Sequence, residues 1–551
     1  MRIFSAFFRC FCLSAVLLVL PFASLGSEKP GNVVLQYHFV GATQLAEDTN
    51  AFTACRVFAL KTTVAFEDLV LNRLAGKLAE ALQFPTNKAS VALLRPLLDD
   101  ALRVESMASV GGAPGKPLDF VFAFDLDTDR SQRWQQSLKS VNSGTGEKFQ
   151  AGSFTGWQWK KGGKDSVWMV PARDWLLVGR GESLASVRSA YLQQIKEFGR
   201  PGPALVENCF EADVDWPQLA RSFSMDWCPL KLARTQLGIS AKGGTFYTIA
   251  HVTYPEAIQW QPRPMSFPTN LVREPLLSFA TGQNVAPFLK SDDTLSRLCT
   301  DPLRDQFYFW SMSELAFESF VAWPVSNPSN TIKTLSDQAL AELNPKLHAL
   351  DGTELKWKPK QMRLVWMNLP MITPSVLRVG PTNGNFLLGA LFPLTPGNGT
   401  APPALWAQLE GKKDLVYYDF EFTGPRVRHL LTLTQVLPIL NMLGVGPREP
   451  LKAGTPAAKS GAKAPGAPAV DPRLTIEEQW LANLNTLLGR TATEVTKTGP
   501  NELTVIRNSQ FVFSSLELVL LSHWLSDTPA GPIDKGLLPF AKMSGPGIPP
   551  E

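Results

Sequence analysis

The stretch FVFAFDLDTD, residues 120–129, ends an alternating aromatic run in two carboxylates, Asp125 and Asp127. At the mouth of a sheet such a pair can divide the work of phosphoryl transfer. Farther along the chain, Lys290 is followed by the paired acids Asp292 and Asp293. The competing reading is a strand exit whose acids cap the next helix, with Asp129 and Gln132 forming the cap signature.

The Asp-x-Asp strand end resembles the nucleophile motif of haloacid-dehalogenase-type phosphatases. That resemblance implies Asp125 as the nucleophile that attacks phosphorus, Asp127 as the acid that protonates the leaving group, and Mg²⁺ as the cofactor that screens the charge, with Lys290 and the acids Asp292 and Asp293 completing the site and Asp292 as a third metal ligand. It covers about ten residues, and Asp129 stands where that family has threonine or valine. The motif normally opens its domain, whereas a long helical stretch precedes it here. Asp125, Asp127 and Asp129 also share the alternate spacing of a calcium loop. However, Arg130 replaces the required glycine, and Gln136 stands in place of the bidentate glutamate. No metal or other cofactor is expected outside the phosphatase reading.

A second candidate is GRGES, residues 179–183. Gly179 and Gly181 match the first two glycines of a dinucleotide fingerprint, but Leu184 occupies the third position. The preceding strand also reads as a hairpin partner, so the loop is expected to turn a corner. Trp134, Trp157, Trp159, Trp168 and Trp175 cluster, and Trp157 with Trp159 on one strand face could form a platform for sugar rings. The commoner use of such indoles is to fill a core. The five histidines, His38, His251, His348, His429 and His523, are scattered without HExxH or paired spacing, and His251 reads as a packed strand residue. GxSxG is absent, and the SxxK of Ser460 and Lys463 lies in a segment too flexible to hold a site.

These groups sit in a 551-residue chain, 44% hydrophobic and 19% charged, with a formal charge of +4. Arg2 and Arg9 precede the apolar run Leu13 to Leu20, and Ser24 and Gly26 supply small residues after it. This is the pattern of a secretory signal cut after Gly26; retention as an anchor is the alternative. Cleavage would leave a charge of +2, which gives no electrostatic case for nucleic acid. No later run is long and apolar enough to span a membrane. Cys55, Cys209, Cys228 and Cys299 would remain, an even number in an exported chain. Cys209–Cys228 and Cys55–Cys299 is the favoured connectivity, with four buried free thiols as the alternative.

The periodicities indicate an α+β chain of mostly antiparallel sheets flanked by helices. After the signal at 1–26, residues 27–112 read as a helical N-terminal region, with 42–109 helical throughout. A first α+β unit at 118–200 has the order β-α-β-β-β-α. A β-rich middle region at 204–335 contains a hairpin of LARTQLGISA and TFYTIAHVTY across KGG. A second α+β unit at 336–525 holds DLVYYDFEF, the helix PRVRHLLTLTQVLPILNML, a hairpin across GPN and a closing helix. An Ala/Pro/Gly/Lys linker at 448–474 interrupts it, and 526–551 form a tail. The similar order suggests a degenerate duplication of a β-α-β-β-(β)-α unit, with FEFTGP matching the FAFDLD strand end.

DWLLVGRGESLASVRSAYL, SFPTNLVREPLLSFATGQNVAPFL and TGPNELTVIRNSQFVFSSLELVLLSHWL resemble segments of certain large exported bacterial proteins with recurring strand–helix units. That family has no established activity, so the resemblance implies export and architecture alone. The reading is an exported, non-enzymatic protein that binds or scaffolds in the periplasm or cell envelope, with an envelope protein or glycan as partner. A phosphatase using Asp125 and Asp127, and glycan binding through the Trp-rich sheet, are the alternatives.

Overall fold

Among the described residues, twenty strands join in one antiparallel sheet flanked by helices. The computed structural model describes residues 33–81, 87–112, 118–141, 146–161, 165–222, 233–265, 267–284, 306–313, 318–325, 327–347, 354–367, 375–379, 386–390, 399–400, 402–442 and 475–526. The first ten strands are β1 (Val33–Phe39), β2 (Ser106–Gly111), β3 (Asp119–Asp125), β4 (Glu147–Ala151), β5 (Phe154–Lys161), β6 (Asp165–Ala172), β7 (Trp175–Arg180), β8 (Asn208–Asp215), β9 (Arg234–Lys242) and β10 (Thr245–Thr253). The second ten are β11 (Leu276–Gln283), β12 (Gln306–Met312), β13 (Ser319–Pro324), β14 (Glu354–Lys358), β15 (Arg363–Met367), β16 (Ser375–Val379), β17 (Phe386–Ala390), β18 (Leu415–Phe422), β19 (Arg490–Lys497) and β20 (Glu502–Ser509).

In the first set the hydrogen-bonded order is β4-β5-β6-β7-β3-β2-β1-β8-β9-β10. In the second set it is β14-β15-β16-β17-β13-β12-β11-β18-β19-β20, the same order with every number raised by ten. The sets meet through β10 and β20, which run antiparallel with Ile249 opposite Ile506. Equivalent strands paired in opposite directions require an approximate twofold axis at that pair. When the halves are aligned on the helix starts after β8 and β18, Ile249 and Ile506 are also counterparts. The duplication is therefore present, as a ten-strand repeat rather than the shorter unit expected.

Helices follow the same plan. α1 (Ala42–Glu47), α2 (Phe52–Phe58), α3 (Lys61–Ala81) and α4 (Lys88–Arg103) join β1 to β2, and α5 (Thr128–Val141) follows β3. α6 (Ala185–Phe198) follows β7, and α7 (Trp216–Ser222) follows β8. In the second repeat α8 (Pro328–Leu347) follows β13, α9 (Pro403–Leu409) follows β17 and α10 (Thr423–Met442) follows β18. α11 (Ile476–Leu484) precedes β19, and α12 (Ser515–Ser526) closes the fold after β20. α6 packs on one sheet face through Val187, Tyr191 and Ile195 against Val121, Trp168 and Leu177. α9 does the same in the second repeat, with Leu405 and Leu409 against Trp310, Phe320 and Phe420. On the opposite face, α3, α4 and α5 cover Phe124, Leu176 and Met169. There α3, α10, α11 and α12 form a helical layer around Phe66, Val427, Trp480 and Leu518.

Four expectations need correction. The N-terminal region is not helical throughout, because Val33–Phe39 and Ser106–Gly111 are inner strands. All six residues of β2 are buried, so its composition carries no alternation to separate it from the helix before it. The first unit has four strands after α5, not three, because Glu147–Ala151 adds one. The cap of α5 is Asp127, whose Oδ1 accepts the Arg130 N–H at 2.7 Å, not Asp129. Finally, FEFTGP matches the β8 exit VDWP. The counterpart of the β3 exit is the AWPV end of β13, since β3 and β13 hold the same place in the two orders.

Register explains why the repeats share so little sequence. Leu35, Val110, Val214 and Ala250 lie on the face under the helical layer, and their counterparts are Ser278, Ser311, Glu421 and Arg507. On the other face Gln36, Ser109 and Asp213 correspond to Phe279, Trp310 and Phe420. Near the middle of the sheet, the polar and apolar faces have exchanged between the repeats.

Candidate functional site

Asp125 ends β3 and Asp127 follows it two residues on, and the two do different things. Asp127 spends one oxygen on capping α5 and holds Arg130 Nε at 3.3 Å with the other. Asp125 is exposed at the strand end, and its backbone N–H donates to Glu105 O at 3.0 Å. Its carboxyl is held above the usual range, first by partial burial and then by Glu105 and Asp174, with Arg200 pulling the other way. Glu105 is already engaged by His38, whose Nε2 lies 2.6 Å from Oε1, and by Arg200. In the second repeat Pro324 takes the place of Asp125, and Asn327 Oδ1 caps α8 through the Asn330 N–H at 3.2 Å. A capping oxygen recurs after both strands, whereas the Asp-x-Asp pair does not. Lys290, Asp292 and Asp293 lie outside the described residues, among which no group of three His, Cys, Asp or Glu is arranged to hold a metal.

GRGES does receive an anion, and the anion belongs to the chain itself. The Ser183 N–H donates to Asp119 Oδ2 at 2.8 Å, so the carboxylate at the start of β3 fills the turn after β7. Gly181 has φ +73°, and a Cβ there would fall 1.9 Å from Asp119 Oδ1. Gly179 is required by packing, because a Cβ would meet the Trp168 ring at 2.2 Å. Glu182 faces Arg188 of α6 at 3.2 Å. The loop turns a corner with its amide already satisfied.

The tryptophans fill the interior. Trp134, Trp159, Trp168 and Trp175 are buried, and Trp157 is half-buried beneath the Lys139 ammonium. Cys55 and Cys209 are free thiols. Cys55 Sγ donates to Ala46 O at 3.2 Å and Cys209 Sγ to Ile239 O at 3.3 Å. Burial pushes the Cys209 thiol up to about 11. Their expected partners Cys228 and Cys299 lie outside the described residues, as do residues 1–32, the linker and residues 527–551.

The surface that stands out is the middle of the sheet, on the side that carries α6 and α9. There β10 presents Tyr247, Ile249 and His251, and β20 presents Asn508, Ile506 and Thr504 opposite them. Ile506 is 45% exposed, Asn508 is exposed, and the three β10 residues are half-buried. His251 Nδ1 lies 3.1 Å from Glu502 Oε1 and 3.3 Å from Thr504 Oγ1. On the first-repeat side Asp213 accepts from Arg234 Nε at 3.1 Å and Nη2 at 2.7 Å, and from Gln236 at 3.4 Å. On the second-repeat side Lys412 pairs with Glu494, and Arg490 Nη2 donates to Gln408 Oε1 at 3.1 Å and Tyr418 Oη at 3.3 Å. Beyond Lys412 the surface dips into a cleft of about 360 Å³ lined by Met265, Phe267, Leu409, Glu410 and Lys413. An isoleucine pair at the pseudo-dyad, Ile506 exposed and Ile249 half-buried, ringed by charges of both signs, has the arrangement of a contact surface: an apolar centre and a polar rim. Alternation within TFYTIAHVTY and ELTVIRNS shows in the sequence. Which face stays open depends on where the helices land, and the sequence carries no local signal for that.

Comparison with protein-family models, with curated proteins and with solved structures finds no match.

Proposed function

We propose that this chain is an exported, non-enzymatic binding or scaffolding protein of the periplasm or cell envelope, related to the exported family its segments resemble. Its working surface is the sheet face around Ile249 and Ile506, which no helix among the described residues covers, and an envelope protein is its partner. The observation that carries this reading is the 45% exposure of Ile506 at the centre of a face built by both repeats. Export rests on the charged, apolar and small-residue order of residues 1–26. Among the described residues no helix is long and apolar enough to cross a membrane. The phosphatase alternative loses support because Asp127 caps α5 and Glu105, beside Asp125, is engaged by His38 and Arg200. The glycan alternative loses support because Trp159 is 7% exposed.

The test is photocrosslinking in bacterial cells that express the full chain. Benzoylphenylalanine replaces Ile506 in one variant and Val206, which is 92% exposed in the loop before β8, in another. A discrete adduct from position 506 and none from 206 is expected. Indistinguishable patterns from the two positions would overturn the reading.

A further inference from the structure

Under the helical layer, the opposite face of the second repeat gathers charges, with Glu421, Arg507 and Glu517 buried and Asp419 and Arg426 half-buried. Asp419 and Glu421 of β18, Arg507 of β20, Arg426 of α10 and Glu517 of α12 converge there, three carboxylates against two guanidinium groups. Arg507 is committed to Glu517, with Nη1 to Oε2 at 2.8 Å and Nη2 to Oε1 at 3.0 Å. Its Nε donates to Thr493 Oγ1 at 3.0 Å. Glu421 accepts the Ser515 N–H at 2.5 Å and the Ser515 hydroxyl at 2.6 Å. Arg426 Nη1 donates to Ser311 Oγ at 2.8 Å. Asp419 lies opposite Thr493 in the sheet, and no guanidinium among the described residues pairs with it. A buried layer with one carboxylate in excess is balanced most simply by a proton.

Two of these contacts tether the start of α12. Glu421 holds Ser515, while Glu517 joins Arg507 and also accepts the Ser514 N–H at 2.7 Å. Asp419 faces both tethers. Around it stand Tyr417 and Glu421 of its own strand, Thr493 of β19, Arg507 of β20, Ala280 of β11 and Glu517 of α12. A negative charge on Asp419 would repel Glu421 and Glu517 and draw Arg507 away from its bidentate partner. Farther along, α12 receives Arg73 of α3 through the Trp524 and Leu525 carbonyls, at 2.5 and 2.6 Å. Loosening α12 therefore also loosens its grip on α3.

We infer that α12 is a latch on the sheet, closed while Asp419 carries a proton and loosened when Asp419 ionises. Burial, with Glu421 and Glu517 adding to it and Arg507 and Thr493 opposing, pushes the Asp419 carboxyl up to about 7. A carboxyl raised in the folded state adds stability below the ordinary carboxylate range, and that stability is lost as pH rises through about 7. The latch is thus closed in mildly acidic surroundings and weakened in mildly alkaline ones.

Amide hydrogen exchange on the full chain tests this, with α12 protection at pH 5 and pH 8 expressed relative to α6, which lies on the other face. The wild-type ratio is expected to fall roughly tenfold or more at pH 8, as one added like charge at an effective dielectric of ~20 would produce. Asp419→Asn should keep the pH 5 ratio at both values, and Glu517→Gln should lower it at both. A wild-type ratio that does not change with pH overturns the latch even if no variant folds. A fall that persists in Asp419→Asn assigns the change to another group and overturns it equally.

Discussion

Replacing Asp127 tests whether the Asp-x-Asp end of β3 is structural or chemical. Alanine removes the oxygen that accepts the Arg130 N–H at 2.7 Å and leaves a donor of the first turn of α5 without its side-chain partner. Loss of such a cap costs about 1 kcal/mol, within a range of roughly 0.5–2. The exposed contact with Arg130 Nε adds at most a few tenths. Asparagine caps about as well as aspartate, so Asp127→Asn should change stability by only about 0.3 kcal/mol. Asparagine can no more deliver a proton to a leaving group than alanine can, so a catalytic role predicts that both variants lose activity alike. The assay is urea unfolding of wild type and both variants at one pH, alongside Mg²⁺-dependent phosphate release from an aryl phosphate. Equal losses of stability in Asp127→Asn and Asp127→Ala, or phosphatase activity abolished by both, would refute the capping argument. The second repeat already holds the asparagine version of this cap at Asn327.

Gly181→Ala should destabilise by roughly 1–3 kcal/mol, because the new Cβ meets Asp119 and the backbone is left-handed at φ +73°; an unchanged urea midpoint would mean that Asp119 does not fill the turn. Asp419→Asn should stabilise the chain at pH 8 and leave it nearly unchanged at pH 4. With the carboxyl raised from 3.8 to about 7, the ceiling is about 4 kcal/mol at ~1.4 kcal/mol per unit. Thermal unfolding at the two pH values measures it, and an equal effect at both would contradict the assignment.

Much of the fold follows from short-range pattern. The hairpin of β9 and β10, the helix after β18 and the closing hairpin and helix are all visible as alternation, proline at a helix start and turn residues. β2 could not be seen, because a strand buried on both faces shows no alternation, and SMASV continues the helical spacing before it. The duplication was visible as element order, but the matching of its parts was not. Matching by residue type pairs FEFTGP with FAFDLD because both are aromatic and acidic, whereas matching by register pairs it with VDWP. The exchange of polar and apolar faces accounts for the difference. Val214 and Glu421 hold one position, and a search for similar residues separates them. Of the candidate site, Asp127 was legible as a capping residue type, although the signature pointed two residues too late. The Ile249–Ile506 pair was not legible, since it joins residues more than two hundred positions apart.

The open face follows from the connections of the duplicated fold. On that side each repeat supplies one helix among the described residues, α6 or α9, and it packs over the strands distal to the dyad. The chain then enters β8 or β18, and the next helix crosses to the opposite face. There α7 packs through Trp216, whose Nε1 donates to Thr235 at 3.1 Å, and α10 packs through Arg426 on Ser311. The last two strands of each repeat are joined by short hairpins, Gly243–Gly244 in the first and the Gly499 turn in the second. No connection in either hairpin is long enough to fold back over its own strands. Joining β10 to β20 then sets two uncovered hairpins side by side, and Ile249 and Ile506 lie at their seam. Buried elsewhere in this fold, such residues would be core; here no helix among the described residues covers them, and the proposed function assigns that place to a partner. That is why a substitution such as Ile506→Arg should affect association while leaving the sheet beneath it intact.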